Sequence, residues 1–230
     1  MRARPSSSAR VRAPRLGVTV DVVILTPGSR QLEVLGLRDV APRALHPLVL
    51  PWGRVVRGET LEGAARRVAK SAVGIEPAWL EQAGTFGDAS EHPASAEMSI
   101  CWVGAIPADV GHRASAAAWM DARVIGTLGE RHRAMTAAAL ALVRARMDFA
   151  PVAFRMLGSP FTLTELQQVY EQLLGRRLHK ASFRRALHAS WLVEPTNEWR
   201  GEGRGRPAQL FKYAPRRRRG HRRGVRFDLL

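Results

Sequence analysis

Cysteine is nearly absent. The chain of 230 residues has one, Cys101, which excludes an internal disulfide framework and any thiolate-rich zinc site and fits a reducing compartment. Long apolar runs are missing too: stretches such as Val18 to Leu25 fall far short of the roughly 20 residues that a membrane-spanning helix needs. No signal-peptide core follows the N-terminus, so the expected setting is the cytoplasm. Acidic residues are scarce, 20 against 36 lysines and arginines, for a formal net charge of +16. Apolar material is not scarce. A hydrophobic content of 46% beside 24% charged residues is enough for a packed core and excludes wholesale disorder. The length admits one large or two small domains.

The positive charge is unevenly placed. Residues 1–15 hold five arginines and no acid, and residues 214–230 hold seven arginines and one aspartate. Between them, residues 16–150 balance 14 basic against 14 acidic side chains, whereas residues 151–213 carry ten basic and five acidic. A neutral domain followed by a basic one points to an anionic partner for the second, with nucleic acid first. The terminal blocks read as a flexible basic arm and an arginine-rich tail, which supply nonspecific attraction at most.

From Gly17 the order of residues becomes regular. Val18, Val20, Val22 and Ile24 alternate as in a strand, Pro27-Gly28-Ser29 makes a turn, and a second strand around Val34 to Leu37 completes a hairpin. Leu48 to Leu50 reads as a third strand. Thr60 is placed to cap a helix whose apolar stripe is Leu61, Ala65, Val68 and Ala72, and Gly74 supplies its left-handed stop. Strand material at Met98 to Ile106 and an alanine-rich helix from about Glu130 to Met147 follow. Cys101, between Ile100 and Trp102, reads as a buried apolar residue. Interleaved strands and helices imply an α/β (α+β) layer fold for residues 16–150.

Pro151 marks the expected boundary to a second domain, residues 151–213. Phe161-Thr162-Leu163-Thr164-Glu165-Leu166 is a capping box with a hydrophobic staple, opening a helix with a buried face of Leu166, Val169, Tyr170 and Leu173 and a stop at Gly175. A short turn leads to a second helix from about His179 to Ser190 with Phe183, Ala186 and Leu187 inward, a helix-turn-helix pattern. Two strands, Leu192 to Pro195 and Leu210 to Tyr213, flank the basic tip Gly201 to Pro207, as in the wing of a winged helix. Off the apolar stripe of the second helix stand Lys180, Ser182, Arg184, Arg185 and His188, the donor-rich side chains that read base edges and grip phosphate. The DNA-binding candidates are therefore Thr162, Thr164, Lys180, Ser182, Arg184 and Arg185, with Arg204 and Arg206 in the wing.

The most diagnostic stretch runs from Leu50-Pro51-Trp52-Gly53-Arg54 through Glu59-Thr60-Leu61 and Arg66-Arg67-Val68 to Gly74-Ile75. It resembles the Nudix box, with Gly53, Glu59, Arg67, Gly74 and Ile75 in register across 23 residues. Where that family has the glutamates that hold magnesium against a diphosphate, this chain has Val68, Ser71 and Ala72, which cannot replace hard anionic ligands. Together with Leu80 to Asp88, Phe154-Arg155-Met156-Leu157, Phe183-Arg184-Arg185 and Gly205 to Phe211, the chain is similar to the Nudix-related transcriptional regulators of NAD metabolism. That resemblance implies a Nudix-like α/β/α sandwich followed by a winged helix-turn-helix domain. It also implies a homodimer on an inverted-repeat operator in double-stranded DNA, and ADP-ribose or a related nucleotide as effector, with no cofactor required.

The expected function is a catalytically inactive sensor fused to a DNA-binding repressor. Its ligand-binding candidates are Trp52 at the pocket lip, Arg54 for a diphosphate, Glu59, Arg67 and Phe86, the last for stacking on adenine. The histidines show no metal-ligand spacing, so no metal site is expected. The alternatives are an active Nudix hydrolase of the ADP-ribose pyrophosphatase type and a related regulator of sugar catabolism.

Overall fold

A computed structural model describes residues 16–39, 44, 46–87, 92–111, 117–147, 150–201 and 207–215. The basic arm at 1–15, the wing-tip Arg204 and Arg206, and the tail from 216 lie outside the described residues. In chain order the elements begin with β1 (Val18–Pro27), β2 (Leu32–Arg38), β3 (Leu48–Val49), β4 (Trp52–Arg54) and α1 (Leu61–Val73). There follow β5 (Trp79–Phe86), β6 (Met98–Ala105), α2 (Ala108–Gly111), β7 (Ala117–Asp121) and α3 (Glu130–Arg146). The C-terminal part comprises α4 (Val152–Arg155), β8 (Phe161–Thr162), α5 (Leu163–Leu174), α6 (Lys180–Ser190), β9 (Val193–Arg200) and β10 (Ala208–Tyr213).

β1 organises the first half because its residues divide by parity. Val20, Val22 and Ile24 pack with Ala64, Ala65 and Val68 of α1 on one face, and Val23 and Leu25 with Met135 and Ala139 of α3 on the other. The result is an α/β/α sandwich. The alternating valines announced a strand, but every residue of β1 after Val18 is buried, as befits a central strand covered on both faces. The sheet order is β3-β2-β1-β6-β5, with β4 also on β1 and β7 also on β2. β1 and β6 run parallel, with Asp21 opposite Cys101, and the expected hairpin sets Leu25 against Val34.

Thr60 caps α1 by accepting from the Gly63 amide, and Gly74 ends it at φ 82. Its buried face is Ala64, Ala65, Val68, Ala69 and Val73, so the expected stripe is corrected by a rotation: Leu61 is left exposed and Ala72 half-buried. The alanines let the helix lie close on the valines of β1, and a larger Leu61 does not fit that close approach.

In the second half the capping box is complete. Thr162 accepts from the Glu165 amide at 3.1 Å, and Glu165 Oε2 accepts from the Thr162 amide at 2.6 Å. Leu166, Val169, Tyr170 and Leu173 are all buried, and Tyr170 meets Phe183 of α6 with ring centroids 5.5 Å apart. The strands β8, β10 and β9 form a second sheet in that order. Arg200 of β9 donates to Glu165 Oε1 at 2.7 Å and fastens this sheet to α5.

The two halves share a core across the expected boundary at Pro151. Met147 and Val152 are buried, and one apolar cluster runs from Val23 of β1 to Phe211 of β10. Arg144 of α3 donates to the Leu173 carbonyl of α5 at 3.0 Å, and Gln172 of α5 to the Gly28 carbonyl at 2.9 Å. Among the described residues no helix is long and apolar enough to cross a membrane.

Candidate functional site

On α6 the helical period does the sorting. Phe183 and Leu187 face α5, which leaves Lys180, Arg184 and His188, four residues apart, on one exposed line with the exposed Arg185 beside it. Ser182 is half-buried, its hydroxyl 3.3 Å from His179 Nδ1. Thr164, in the first turn of α5, is exposed. Thr162 is the exception among the DNA-binding candidates: it is 6% exposed and its hydroxyl is engaged in the cap. Its place in the list is corrected to a structural one, because a phosphate cannot reach a hydroxyl buried at the start of the helix.

The ligand-binding candidates fall on two faces of the larger sheet. Arg54, Thr19, Ser99 and Phe86 form one row across β4, β1, β6 and β5, and directly paired residues share a face. That row faces α3. Trp52, opposite Asp21, lies on the same face with its ring edge-on to His92 at 5.4 Å. Arg54 donates to the Ala94 carbonyl at 2.9 Å, and Phe86 packs against the α3-side cluster.

Glu59 and Arg67 stand apart from that row and close on each other. Arg67 Nε and Nη2 donate to the two Glu59 oxygens, each at 2.8 Å, and Nη2 also donates to the Arg54 carbonyl at 2.9 Å. The Arg67 guanidinium, helped by the Val56 amide at 3.1 Å, holds the Glu59 carboxyl at about 2. Arg67 thus braces β4 against α1.

Sequence reasoning missed a buried polar cluster beneath Trp52. Asp21 of β1, His92 before β6 and His132 of α3 place three potential ligand atoms within 4.8 Å of one another. Ala94 N–H donates to His92 Nδ1 at 3.1 Å, so the ring proton sits on Nε2, which donates to Asp21 Oδ1 at 2.8 Å. His132 repeats the pattern: Leu50 N–H donates to Nδ1 at 3.4 Å, and Nε2 lies 3.4 Å from the same Oδ1 without a hydrogen bond of good geometry. Thr19 donates to Asp21 Oδ2 at 2.8 Å and sits 3.0 Å from Ser99 Oγ. Burial pushes the Asp21 carboxyl up, but the two imidazoles outweigh it and hold it at about 2. Burial, with the Asp21 charge, also pushes the Cys101 thiol well up, so it is an inert core residue.

These residues do not fit a cation. Coordination through both Nε2 atoms would put protons on both Nδ1 atoms, facing the Ala94 and Leu50 amide donors. Metal-bound imidazoles give their second N–H to an acceptor instead. The one signal available in the sequence was Asp21 itself, a charge in the middle of a valine-rich strand, which burial obliges to find partners.

Residues 153–213 match the family model described as the NrtR DNA-binding winged helix domain. Over most of its length the chain is similar to the ADPR responsive transcriptional repressor NtrR of Acinetobacter baylyi, 28% identical over 207 residues, which cover 86% of this chain and 82% of that relative. Shewanella oneidensis NrtR, in a crystal structure complexed with a 27mer DNA, superposes with a TM-score of 0.75 at 28% identity over 86% of this chain and 94% of that one. The chain resembles these regulators over most of its length. A MutT/nudix family protein from Enterococcus faecalis has the same fold, with a TM-score of 0.66 at 20% identity over 90% of each chain. The α6 face therefore belongs to the matched winged helix, and the row from Arg54 to Phe86 to the half that shares the Nudix fold.

Proposed function

We propose that this protein is a transcriptional regulator, a dimeric repressor that binds an inverted-repeat operator through α6 and the wing, and whose Nudix-like half senses ADP-ribose or a related nucleotide without hydrolysing it. The observation that carries this is the exposed line of Lys180, Arg184 and His188, with Arg185 beside it, on a helix whose apolar side is fully packed. Lys180, Ser182, Arg184 and Arg185 enter the major groove, Thr164 meets phosphate, and Arg204 and Arg206 grip the backbone or the minor groove from the wing. Expression of NAD biosynthesis or salvage genes is the regulated output.

Hydrolysis is disfavoured by the donor set. Val68, Ser71 and Ala72 offer no carboxylate on α1, and both Glu59 oxygens already accept from Arg67. These residues do not fit a divalent cation, which needs several free oxygen ligands. Trp52, Arg54 and Phe86 share one face of the sheet, which supports them as the nucleotide-facing set, while Glu59 and Arg67 support that face from behind. An effector acts by favouring one arrangement of the paired winged helices over another.

Mobility-shift titration of Arg184→Glu or Arg185→Glu against operator DNA tests the DNA reading, and retained affinity overturns it. Calorimetry with ADP-ribose, alone and with operator, tests the sensor, and an absence of coupling removes that part only. Magnesium-dependent release of product from ADP-ribose would restore the hydrolase alternative.

A further inference from the structure

Where the two halves meet there is a cleft of about 480 Å³, walled by the β1–β2 turn, the segment after β7, the later turns of α3, and α5 with the turn that follows it. That is the size of an ordinary small-molecule pocket, and domain junctions are a common place for one. Five arginines line it, Arg30, Arg123, Arg144, Arg176 and Arg177, against a single acid, Glu171. Glu171 pairs with Arg177 at 3.1 Å, and Arg123 pairs with Asp121 at 3.2 Å. Among the described residues Arg144 engages only its Nε, on the Leu173 carbonyl, and a cation at that position also suits the negative end of α5.

No local reason of this kind holds for Arg30. It is exposed on the β1–β2 turn, beside the cleft, with no partner among the described residues. Gln172, which lines the cleft, gives its Nε2 to the Gly28 carbonyl and leaves Oε1 buried with no partner among the described residues. Arginine donors suit a phosphate, and an unpaired buried amide oxygen suits a hydroxyl.

We infer that this junction cleft binds a phosphorylated sugar, with its phosphate on Arg30 and Arg144 and a hydroxyl donating to Gln172 Oε1. α6 contributes nothing to the lining, nor do Trp52, Arg54 or Phe86, so the site is independent of the operator and sensor readings and fails or stands without them. A free sugar phosphate and the phosphorylated ribose of a nucleotide share this chemistry.

Calorimetric titration of the full chain with ribose 5-phosphate, ADP-ribose and inorganic phosphate separates the sources. ADP-ribose is also the ligand of the proposed sensor, so ribose 5-phosphate reads this cleft and should bind it more tightly than inorganic phosphate. Arg30→Glu should weaken ribose 5-phosphate by about tenfold or more, the scale of one charge-assisted contact, with no change in the unfolding midpoint. Gln172→Leu should lower its affinity to that of inorganic phosphate. Equal affinity of Arg30→Glu and the native chain for all three probes overturns the site. So does a weakened grip of Arg30→Glu on a random-sequence DNA duplex with the sugar-phosphate titrations unchanged, which would reassign these arginines to the DNA backbone.

Discussion

Asp21 is the residue on which the Nudix-like half is centred. Its carboxylate takes a proton donor from each of Thr19 and His92 and faces His132, all buried. Asp21→Asn replaces one oxygen by an amide that must face donors, and the unpaired groups should lower stability by about 2–4 kcal/mol, read from the denaturant midpoint. The pH dependence has a definite sign. The carboxyl is held at about 2 against an ordinary 3.8, so its contribution is fully present above 3.8 and is lost as the pH falls from there through 2. Denaturation curves of the native chain should therefore show a loss between those limits that Asp21→Asn lacks.

At the level of single elements, the helix ends and the α6 face carry the testable consequences. Thr162→Ala removes the cap of α5 and should cost about 1 kcal/mol, while the exposed Thr164→Ala should leave the midpoint where it is. Gly175 sits at φ 68 at the end of α5, and Gly175→Ala should cost about 1 kcal/mol through the left-handed backbone. Both changes act on stability and should leave operator preference intact once the protein is folded. Charge removal on α6 should do the reverse. Arg185→Gln should leave the melting curve unchanged and flatten the log-log salt dependence of operator binding by about one unit if the side chain meets a phosphate.

The shared core makes a statement about the whole molecule. Apolar contact is continuous from β1 through α3 to α5 and β10, so neither half buries its apolar face without the other. Calorimetric melting of the full chain should show one transition, with calorimetric and van't Hoff enthalpies in agreement, and two resolved transitions would contradict the shared core. The same continuity would link the proposed effector to the winged helix, since α3 rests on β1 on one side and on α5 on the other.

By itself the sequence determined what is local. The capping box at Thr162 and Glu165, the glycine stops at 74 and 175, the valines of β1 and the donor-rich side of α6 each depend on residues within a turn or two of one another, where period and cap chemistry suffice. The α1 stripe was misread because Leu61 keeps the right period, while the angle of the helix on the sheet is set by Ala64 and Ala69 against β1. Only the tertiary structure decided the rest. Asp21 and His92 meet across 71 residues; Trp52, Arg54 and Phe86 stand on one face of the sheet while Arg67 rides on α1 behind the other; and the junction arginines gather from turns and helices far apart in the chain. Such meetings depend on which faces of the sheet and helices are buried together, and that is a property of the packed core as a whole.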